Sequence, residues 1–297
     1  MKKIISVTLL VIILSMDALA QTDSSAIVKT TDSSAAIANT AIVPLIKNIS
    51  PYKIKPGLDI PLTIVFDAWS LYGMSVIYGR DAIPEAEILS LNRNNVNSFD
   101  RPIINNYSLS AKAASDGFFY GSMPLPLILL LDKKIRKDGL KIGLLFLETM
   151  GTTGVIYTSS AMIANRYRPY AYNPDVPMDT RTRGGARNSF YAGHPSVVAT
   201  STFFMASIYT HYHPNMKGKW VLYTLAGAAT ATTGLLRLQA GQHFKTDVIT
   251  GVITGTLVGI IVPRIHQNKK AEGAKLTLLP NFKFGAPGFT AYYKLGK

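Results

Sequence analysis

Long apolar segments alternate with polar connections along most of this chain. The main apolar segments are 60–79, 118–131, 139–164, 193–210, 219–236 and 246–264. Most are long enough for helices, and several approach the roughly 20 residues that span a bilayer. Gly, Ala and Thr are frequent in the later segments, and small residues allow helices to pack closely in lipid. The pattern therefore predicts an all-α fold, a helical bundle of about six helices embedded in a membrane.

The two ends of the chain depart from this pattern. Residues 1–20 carry two lysines, an apolar run and Ala18-Leu19-Ala20, which is typical of a secretory signal peptide, with a retained membrane anchor as the alternative. Residues 21–58 begin with a stretch rich in Ser, Thr and Ala and are interpreted as a flexible N-terminal segment. The helical domain is thus placed at 59–268. In the remaining segment, 269–297, two short stretches have strand character, which predicts a β-like extension of the hairpin type.

The distribution of basic residues raises a conflict about membrane topology. Basic clusters near 133–137 and 269–270 should lie on the cytoplasmic side. Counting helices from them places Arg168, His194 and Arg237 on the outer side, but it places the start of 60–79 inside, where a cleaved signal would not leave it. Either the signal is retained or 60–79 does not cross, and a charge at Asp67 favours the second reading. A wholly soluble periplasmic protein would also remove the conflict.

Composition narrows the class of partner. The hydrophobic fraction is 47% and the charged fraction 16%, which suits a buried or membrane-embedded bundle. The net charge of +14 favours anionic lipid surfaces or phosphorylated substrates. Nucleic acid is not expected, because the chain carries an export signal and no nucleic-acid motif. The sequence has no cysteine, which excludes disulfides and thiolate metal sites.

The stretch 236–247 carries the most informative chemistry. If its end is helical, His243 and Asp247 are four residues apart and share one face. A carboxylate so placed would accept from one imidazole nitrogen and leave the other free to attack as a nucleophile. Arg237 offers a planar fork of donors that suits a phosphate. The stretch therefore predicts a nucleophile, a group that orients it and an anion clamp.

Two earlier stretches suit the same chemistry. Arg166 and Arg168 place two guanidiniums at the end of an apolar segment. Gly193 allows the backbone to approach a ligand closely, and a helix N-terminus at that point would favour an anion. His194, which follows, suits a general acid that protonates a leaving oxygen. The simpler alternatives are a helix end at Arg168-Pro169 and ordinary helix-face histidines.

In order and spacing, these stretches resemble the three motifs of the type 2 phosphatidic acid phosphatase superfamily, relatives of the vanadium haloperoxidases. The family motifs are Lys, six residues, Arg-Pro; then Pro-Ser-Gly-His; then Ser-Arg, five residues, His, three residues, Asp. The residues that match are Arg168-Pro169, Gly193-His194, Arg237, His243 and Asp247. The resemblance spans roughly 59–268 as a helical domain.

The chain departs from the family pattern at four positions: Ala161, Tyr191, Ala192 and Leu236. Ala161 replaces the lysine and removes one cation from the phosphate pocket. Ala192 and Leu236 replace serines and remove two hydroxyl donors, while Tyr191 replaces a proline. Arg166 is the candidate substitute for the lysine, on proximity alone. Because both histidines, the aspartate and both matching arginines remain, we expect an active enzyme.

The resemblance implies a metal-independent histidine phosphatase that needs no cofactor. It would hydrolyse a phosphomonoester or diphosphate of a lipid, or a small phosphate ester, at the periplasmic face of a bacterial inner membrane or in the periplasm. The implied residues are catalytic His243, His194 and Asp247 and phosphate-binding Arg168, Arg237, Gly193 and Arg166. Three alternatives stay open: a soluble periplasmic acid phosphatase, a vanadate-dependent haloperoxidase and a non-catalytic membrane protein of the same fold.

Overall fold

The computed structural model describes residues 50–268 and the backbone of 276–283 and 286–293. The predicted signal peptide and most of the predicted flexible segment lie outside the described residues. Within them, the long helices are α1 (Pro56–Tyr78), α2 (Leu109–Ser122), α3 (Gly139–Ala164), α4 (Gly193–Tyr212), α5 (Lys219–Gln239) and α6 (Lys245–Ile265). The predicted all-α bundle of about six helices is confirmed.

Short helical elements occupy the connections. The short α-helices are Glu85–Leu89, Lys133–Arg136 and Met178–Arg181. The 3-10 helices are Arg93–Asn95, Arg101–Asn105, Leu125–Leu131, Pro169–Tyr172 and Gly184–Arg187. The apolar segment predicted at 118–131 is divided near Pro124, because proline lacks the N–H that would continue a helix. Its first part belongs to α2, which begins earlier, at Leu109.

Helix α4 is the most buried of these helices. Most of its residues are inaccessible, and it packs against α6, α5, α2 and α3. Glycines at 251, 255 and 259 bring α6 close to it. A Cβ at these positions would lie 2.1–2.7 Å from backbone oxygens at Ala192, Ser196 and Thr200. The small residues of α6 thus permit the backbone contact that holds the two motif-bearing helices together.

Four helical stretches are long and apolar enough to cross a membrane: Pro56–Tyr78, Leu109–Leu131, Gly139–Tyr172 and Lys245–Ile265. Large apolar side chains on them remain exposed, among them Ile64, Leu71, Leu127 and Leu257, as expected of surfaces that face lipid. The sequence suggested that 60–79 does not cross because of Asp67. In the structure the Asp67 carboxylate lies against Gly151 of α3, so its charge faces a neighbouring helix. The helix that carries it is one of the four candidate spans.

The chain just before α1 is joined to the chain just after α6. The Lys53 amide donates to the His266 carbonyl oxygen at 2.9 Å, and an isolated bridge pairs Tyr52 with Gln267. Packed residues therefore precede the predicted domain start at residue 59, since Tyr52 is buried and α1 begins at Pro56.

The C-terminal extension forms two antiparallel strands, β1 (Leu276–Lys283) and β2 (Ala286–Tyr293). Leu276 pairs with Tyr293 at one end, and Lys283 pairs with Ala286 at the other. Both strands lie within 269–297, the segment for which the sequence predicted a β-like extension.

Candidate active site

His243 lies in the turn before α6, which begins only at Lys245. The four-residue spacing suggested that His243 shares a helical face with Asp247, and the structure shows that it does not. Its ring is buried, and its Nδ1 is 2.7 Å from the backbone oxygen of Ser189. Because a carbonyl oxygen can only accept, Nδ1 donates, and the neutral ring keeps its lone pair on Nε2. The Ser189 carbonyl thus fixes the tautomer, the role that the sequence assigned to Asp247.

Asp247 closes the first turn of α6 instead of contacting the His243 ring. Its Oδ2 accepts from the Phe244 amide at 2.8 Å and from the Ser189 hydroxyl at 2.6 Å. An acidic side chain in a first helical turn is stabilised by the free amides there, which is why it points back. The expected direct contact between Asp247 and His243 is therefore wrong. Asp247 acts indirectly, because it binds the hydroxyl of Ser189 and the carbonyl of Ser189 binds His243.

Arg166 lies between two carboxylates. Its Nη2 is 2.8 Å from Oδ2 of Asp100, and its Nη1 is 2.5 Å from Oδ1 of Asp247. Burial opposes ionisation of Asp100, but hydrogen bonds, led by those from Thr246 and Asn97, outweigh it and lower the Asp100 pKa. Two anions already neutralise Arg166, so these contacts do not support its predicted role as the substitute for the missing lysine.

Arg168 and Arg237 converge on one neutral acceptor. Arg168 Nη1 donates to Oε1 of Gln242 at 2.6 Å, and Arg237 Nη2 donates to the same oxygen at 3.4 Å. Both side chains are buried, and their Nε atoms have no hydrogen-bond partner among the described residues. Burial, followed by the charge of Arg168, lowers the Arg237 pKa to about 10. An anion between the two guanidiniums would relieve both the repulsion and the unpaired donors.

His194 lies in the first turn of α4 and is held by Asp116 of α2. Its Nε2 is 2.9 Å from Asp116 Oδ1, which is also 3.2 Å from Arg237 Nη1. The Phe119 ring stacks on the imidazole at a centroid distance of 4.4 Å. Sequence analysis missed Asp116. The available signal was a single acidic residue within 109–122, just before the predicted apolar segment 118–131.

Both imidazoles are neutral near pH 7. Burial, then Arg237, lowers the His194 pKa to about 3, although Asp116 acts in the opposite direction. Burial lowers the His243 pKa well below its usual value, and the charges of Arg168 and Arg237 lower it further. These interactions show that residues from the three sequence motifs share one electrostatic environment.

Gly193 and Ala161 border this environment. Gly193 opens α4, so its amide has no acceptor within the helix. A Cβ on Gly193 would lie 2.9 Å from the Tyr157 ring, which explains the glycine. Ala161, one turn after Tyr157 in α3, is buried, and its carbonyl oxygen accepts from Arg80 at 3.0 Å. Aromatic packing therefore surrounds the position where the family has a lysine.

Comparison with known families agrees with this arrangement. Residues 142–271 match the PAP2 superfamily, and this range contains all three motifs. The predicted resemblance to that superfamily is confirmed over these residues, which make up less than half of the chain. A crystal structure of a transmembrane PAP2-type phosphatidylglycerolphosphate phosphatase from Bacillus subtilis is similar with a TM-score of 0.44 and 20% identity, over 70% of this chain and 94% of that chain. No curated protein matches the chain significantly.

Proposed function

We propose that this protein is a phosphatase that hydrolyses a lipid phosphomonoester or diphosphate through a phosphohistidine at His243. The observation that carries the proposal is the buried pair Arg168 and Arg237, which share one neutral acceptor and whose Nε donors have no partner in the described part of the chain. Such a pair suits an anion with several oxygens. The equatorial oxygens of a phosphoryl group in transfer can be held by two guanidiniums at once.

His243 is the nucleophile in this proposal. Its Nε2 lone pair attacks phosphorus in line with the leaving oxygen, so that a P–N bond forms as the P–O bond breaks. The low pKa keeps the ring neutral and ready to attack. As the ring becomes cationic, its Nδ1–H remains bonded to the Ser189 carbonyl. Asp247 supports this geometry through the Ser189 hydroxyl.

His194 handles the proton. In the free site its pKa is about 3, chiefly through burial and Arg237. A phosphate bound at the arginines cancels that positive potential and raises the His194 pKa, which allows the ring to carry a proton to the leaving oxygen. In the second step the neutral ring takes a proton from water, whose oxygen attacks phosphorus and releases phosphate from His243.

An apolar groove favours a lipid substrate. Two neighbouring cavities share Leu125, Thr202 and Ala229: one of 520 Å³ is lined by α2, α4 and α5, and one of 330 Å³ is lined by α4 and α5. Gly117, beside Asp116, lines the larger cavity, so the groove begins next to the site. A hydrocarbon chain in this groove would leave its phosphate near Arg237.

The proposed orientation places the site on the periplasmic side of a bacterial inner membrane. The basic helix Lys133–Arg136 precedes the start of α3, whereas Arg166 and Arg168 follow its end. A helix of this length spans the hydrocarbon core. If the basic end is cytoplasmic, as charge bias predicts, the arginines face outward.

A substrate screen tests the function. Detergent-purified protein would be assayed for phosphate release from phosphatidate, phosphatidylglycerophosphate, polyprenyl diphosphate, lipid A and water-soluble phosphate esters. We expect hydrolysis of at least one lipid, loss of turnover in His243→Ala, and retention in the control His213→Ala, whose ring bonds to Asp132 instead. Preference for soluble esters would favour an acid phosphatase, and inactivity on every substrate would refute the proposal.

A further inference from the structure

A second cluster of ionisable side chains lies near the C-terminal end of α6. Asp59 of α1, Glu148 of α3 and His266 each direct one potential ligand atom to a common point, and these atoms lie within 4.8 Å of one another. His266 Nε2 is 3.6 Å from Asp59 Oδ2 and 3.4 Å from Glu148 Oε2. The sequence predicted no metal ligands, because these residues are far apart along the chain.

The hydrogen bonds of the cluster leave three acceptors facing one another. His266 Nδ1 lies 2.9 Å from the Val262 carbonyl oxygen, so it donates there, and in a neutral ring the Nε2 lone pair would face the carboxylates. Glu148 is only 4% exposed, and its Oε2 has no hydrogen-bond partner among the described residues. Burying a carboxylate oxygen without a donor costs free energy, and a cation at the point between the three atoms would offset that cost.

Distances and charge indicate the kind of cation. Tetrahedral zinc with bonds of about 2.0–2.2 Å separates neighbouring ligand atoms by about 3.3–3.6 Å, which agrees with the two separations to Nε2. Two carboxylates balance a divalent charge. Outer contacts orient two of the ligands: the Val262 carbonyl accepts from His266 Nδ1, and the Lys55 amide donates at 2.7 Å to Asp59 Oδ2, the oxygen that faces Nε2. We propose that Asp59, Glu148 and His266 bind a divalent transition-metal ion of the zinc type, with water completing the coordination.

The site would act as a structural clamp and take no part in hydrolysis. Helix α6 has 21 residues, so His266 lies roughly 30 Å from the end of the helix that carries Asp247. The ligands come from α1, α3 and the chain after α6. The same region is already joined by the Lys53 amide, which donates to the His266 carbonyl. A bound ion would hold these helices together at the end opposite the phosphate site.

Metal content and stability test the inference on the full-length protein in detergent. The protein would be purified without chelator, analysed for metals, stripped, and then titrated with zinc while its thermal unfolding is followed. We expect one zinc per chain and a higher melting temperature with zinc. Glu148→Gln should weaken zinc binding at least about tenfold, the loss seen when even outer-shell partners are removed. The control His213→Gln removes another histidine that faces a carboxylate, Asp132, and should bind zinc normally.

Cobalt provides a measurement that does not depend on the variants folding. Stripped wild-type protein should take up cobalt and show the intense visible absorption of a four-coordinate ion. A wild-type protein that binds neither zinc nor cobalt would overturn the proposal and leave a buried ion pair of imidazolium and carboxylates. Unchanged zinc affinity in a folded Glu148→Gln variant would overturn it too, because the metal would then be bound elsewhere.

Discussion

Arg168 and Arg237 meet at a single side-chain oxygen, Oε1 of Gln242, at 2.6 and 3.4 Å. Arg237 is also paired with Asp116 at 3.2 Å, whereas Arg168 forms no ion pair among the described residues, so the charge of Arg168 is the less compensated of the two. The surrounding fold holds these guanidiniums together, and a bound anion would neutralise their charge. Activity and stability should therefore respond in opposite directions when the Arg168 charge is removed.

We predict that Arg168→Gln lowers kcat/KM without lowering the melting temperature. A charged hydrogen bond contributes about 1.5–3 kcal/mol, so kcat/KM should fall by roughly ten- to hundredfold. Removing one charge of a repelling pair should leave unfolding unchanged or shift it to higher temperature. Arg183→Gln is the matched control, because Arg183 is exposed and its ion pair within the described part of the chain is with the exposed Asp179 at 3.5 Å. A variant with normal activity would show that no phosphate binds there.

Arg166→Gln should have the opposite effect. Arg166 lies between the buried carboxylates of Asp100 and Asp247, so its loss leaves two anions without their cation. Breaking a buried pair costs up to about 3–5 kcal/mol, and the partial exposure of Arg166 reduces this figure. We expect a clear drop in melting temperature, measured in detergent, and a KM that changes less than in Arg168→Gln. A stable Arg166→Gln variant with a strongly raised KM would instead show that Arg166 binds the phosphate.

Asp116→Asn should slow the chemical step through His194. Asp116 raises the His194 pKa, so its loss lowers that pKa and reduces the protonated fraction at any given pH. General acid catalysis contributes about 10²–10⁴-fold, so a fall in kcat of up to about hundredfold is expected, with a pH optimum moved to lower pH. Lys112→Gln is the control, because Lys112 contacts the other oxygen of Asp116 and is half-exposed. A fall in kcat without a shifted optimum would show only a structural role.

Asp116 also shows where sequence reasoning reaches its limit. The order and spacing of the three motifs along the chain were enough to predict four site residues: His194, His243, Arg168 and Arg237. The partners that hold them could not. Asp116 comes from another helix, and the acceptor for His243 is a backbone carbonyl, which leaves no trace in side-chain identity.

The start of α6 is a second example. The spacing of His243 and Asp247 suggested one helical face, but the helix begins between them, and the Asp247 carboxylate accepts from the Phe244 amide. The six long helices were easier to predict, because length and apolar content decide them. The start of α2 was missed because its polar first turn resembles a loop, although Ser108 caps it by accepting from the Ala111 amide at 3.2 Å.

The burial of His243 predicts a specific dependence of stability on pH. Its pKa in the folded protein lies well below the usual value, whereas in the unfolded chain it is about 6.5. Below about pH 6.5 the unfolded chain therefore binds one more proton, and the stability due to this residue is lost as pH falls. The loss approaches about 1.4 kcal/mol per pH unit.

Thermal unfolding of wild-type protein and His243→Gln between about pH 7.5 and about pH 5 measures this dependence. The stability of the wild type relative to the variant should decrease as pH falls. The similar contribution of His194 is present in both proteins and cancels in the difference. A difference that does not change with pH would show that the His243 ring titrates normally and is not buried beside the arginines.

The missing lysine leads to the last prediction. Ala161 is buried in a cluster with Tyr157, Tyr191 and Ile77, so a lysine there would be introduced into packed apolar surroundings. Overpacking costs about 1–3 kcal/mol, and an unpaired ammonium adds a further penalty. Ala161→Lys should therefore lower the melting temperature and leave kcat/KM no higher than in the wild type. Ala161→Met, which adds similar length without charge, separates packing from electrostatics. If Ala161→Lys instead raised kcat/KM strongly while Ala161→Met did not, the pocket would have room for the ammonium beside the phosphate. The natural protein would then be an impaired enzyme that lacks one cation.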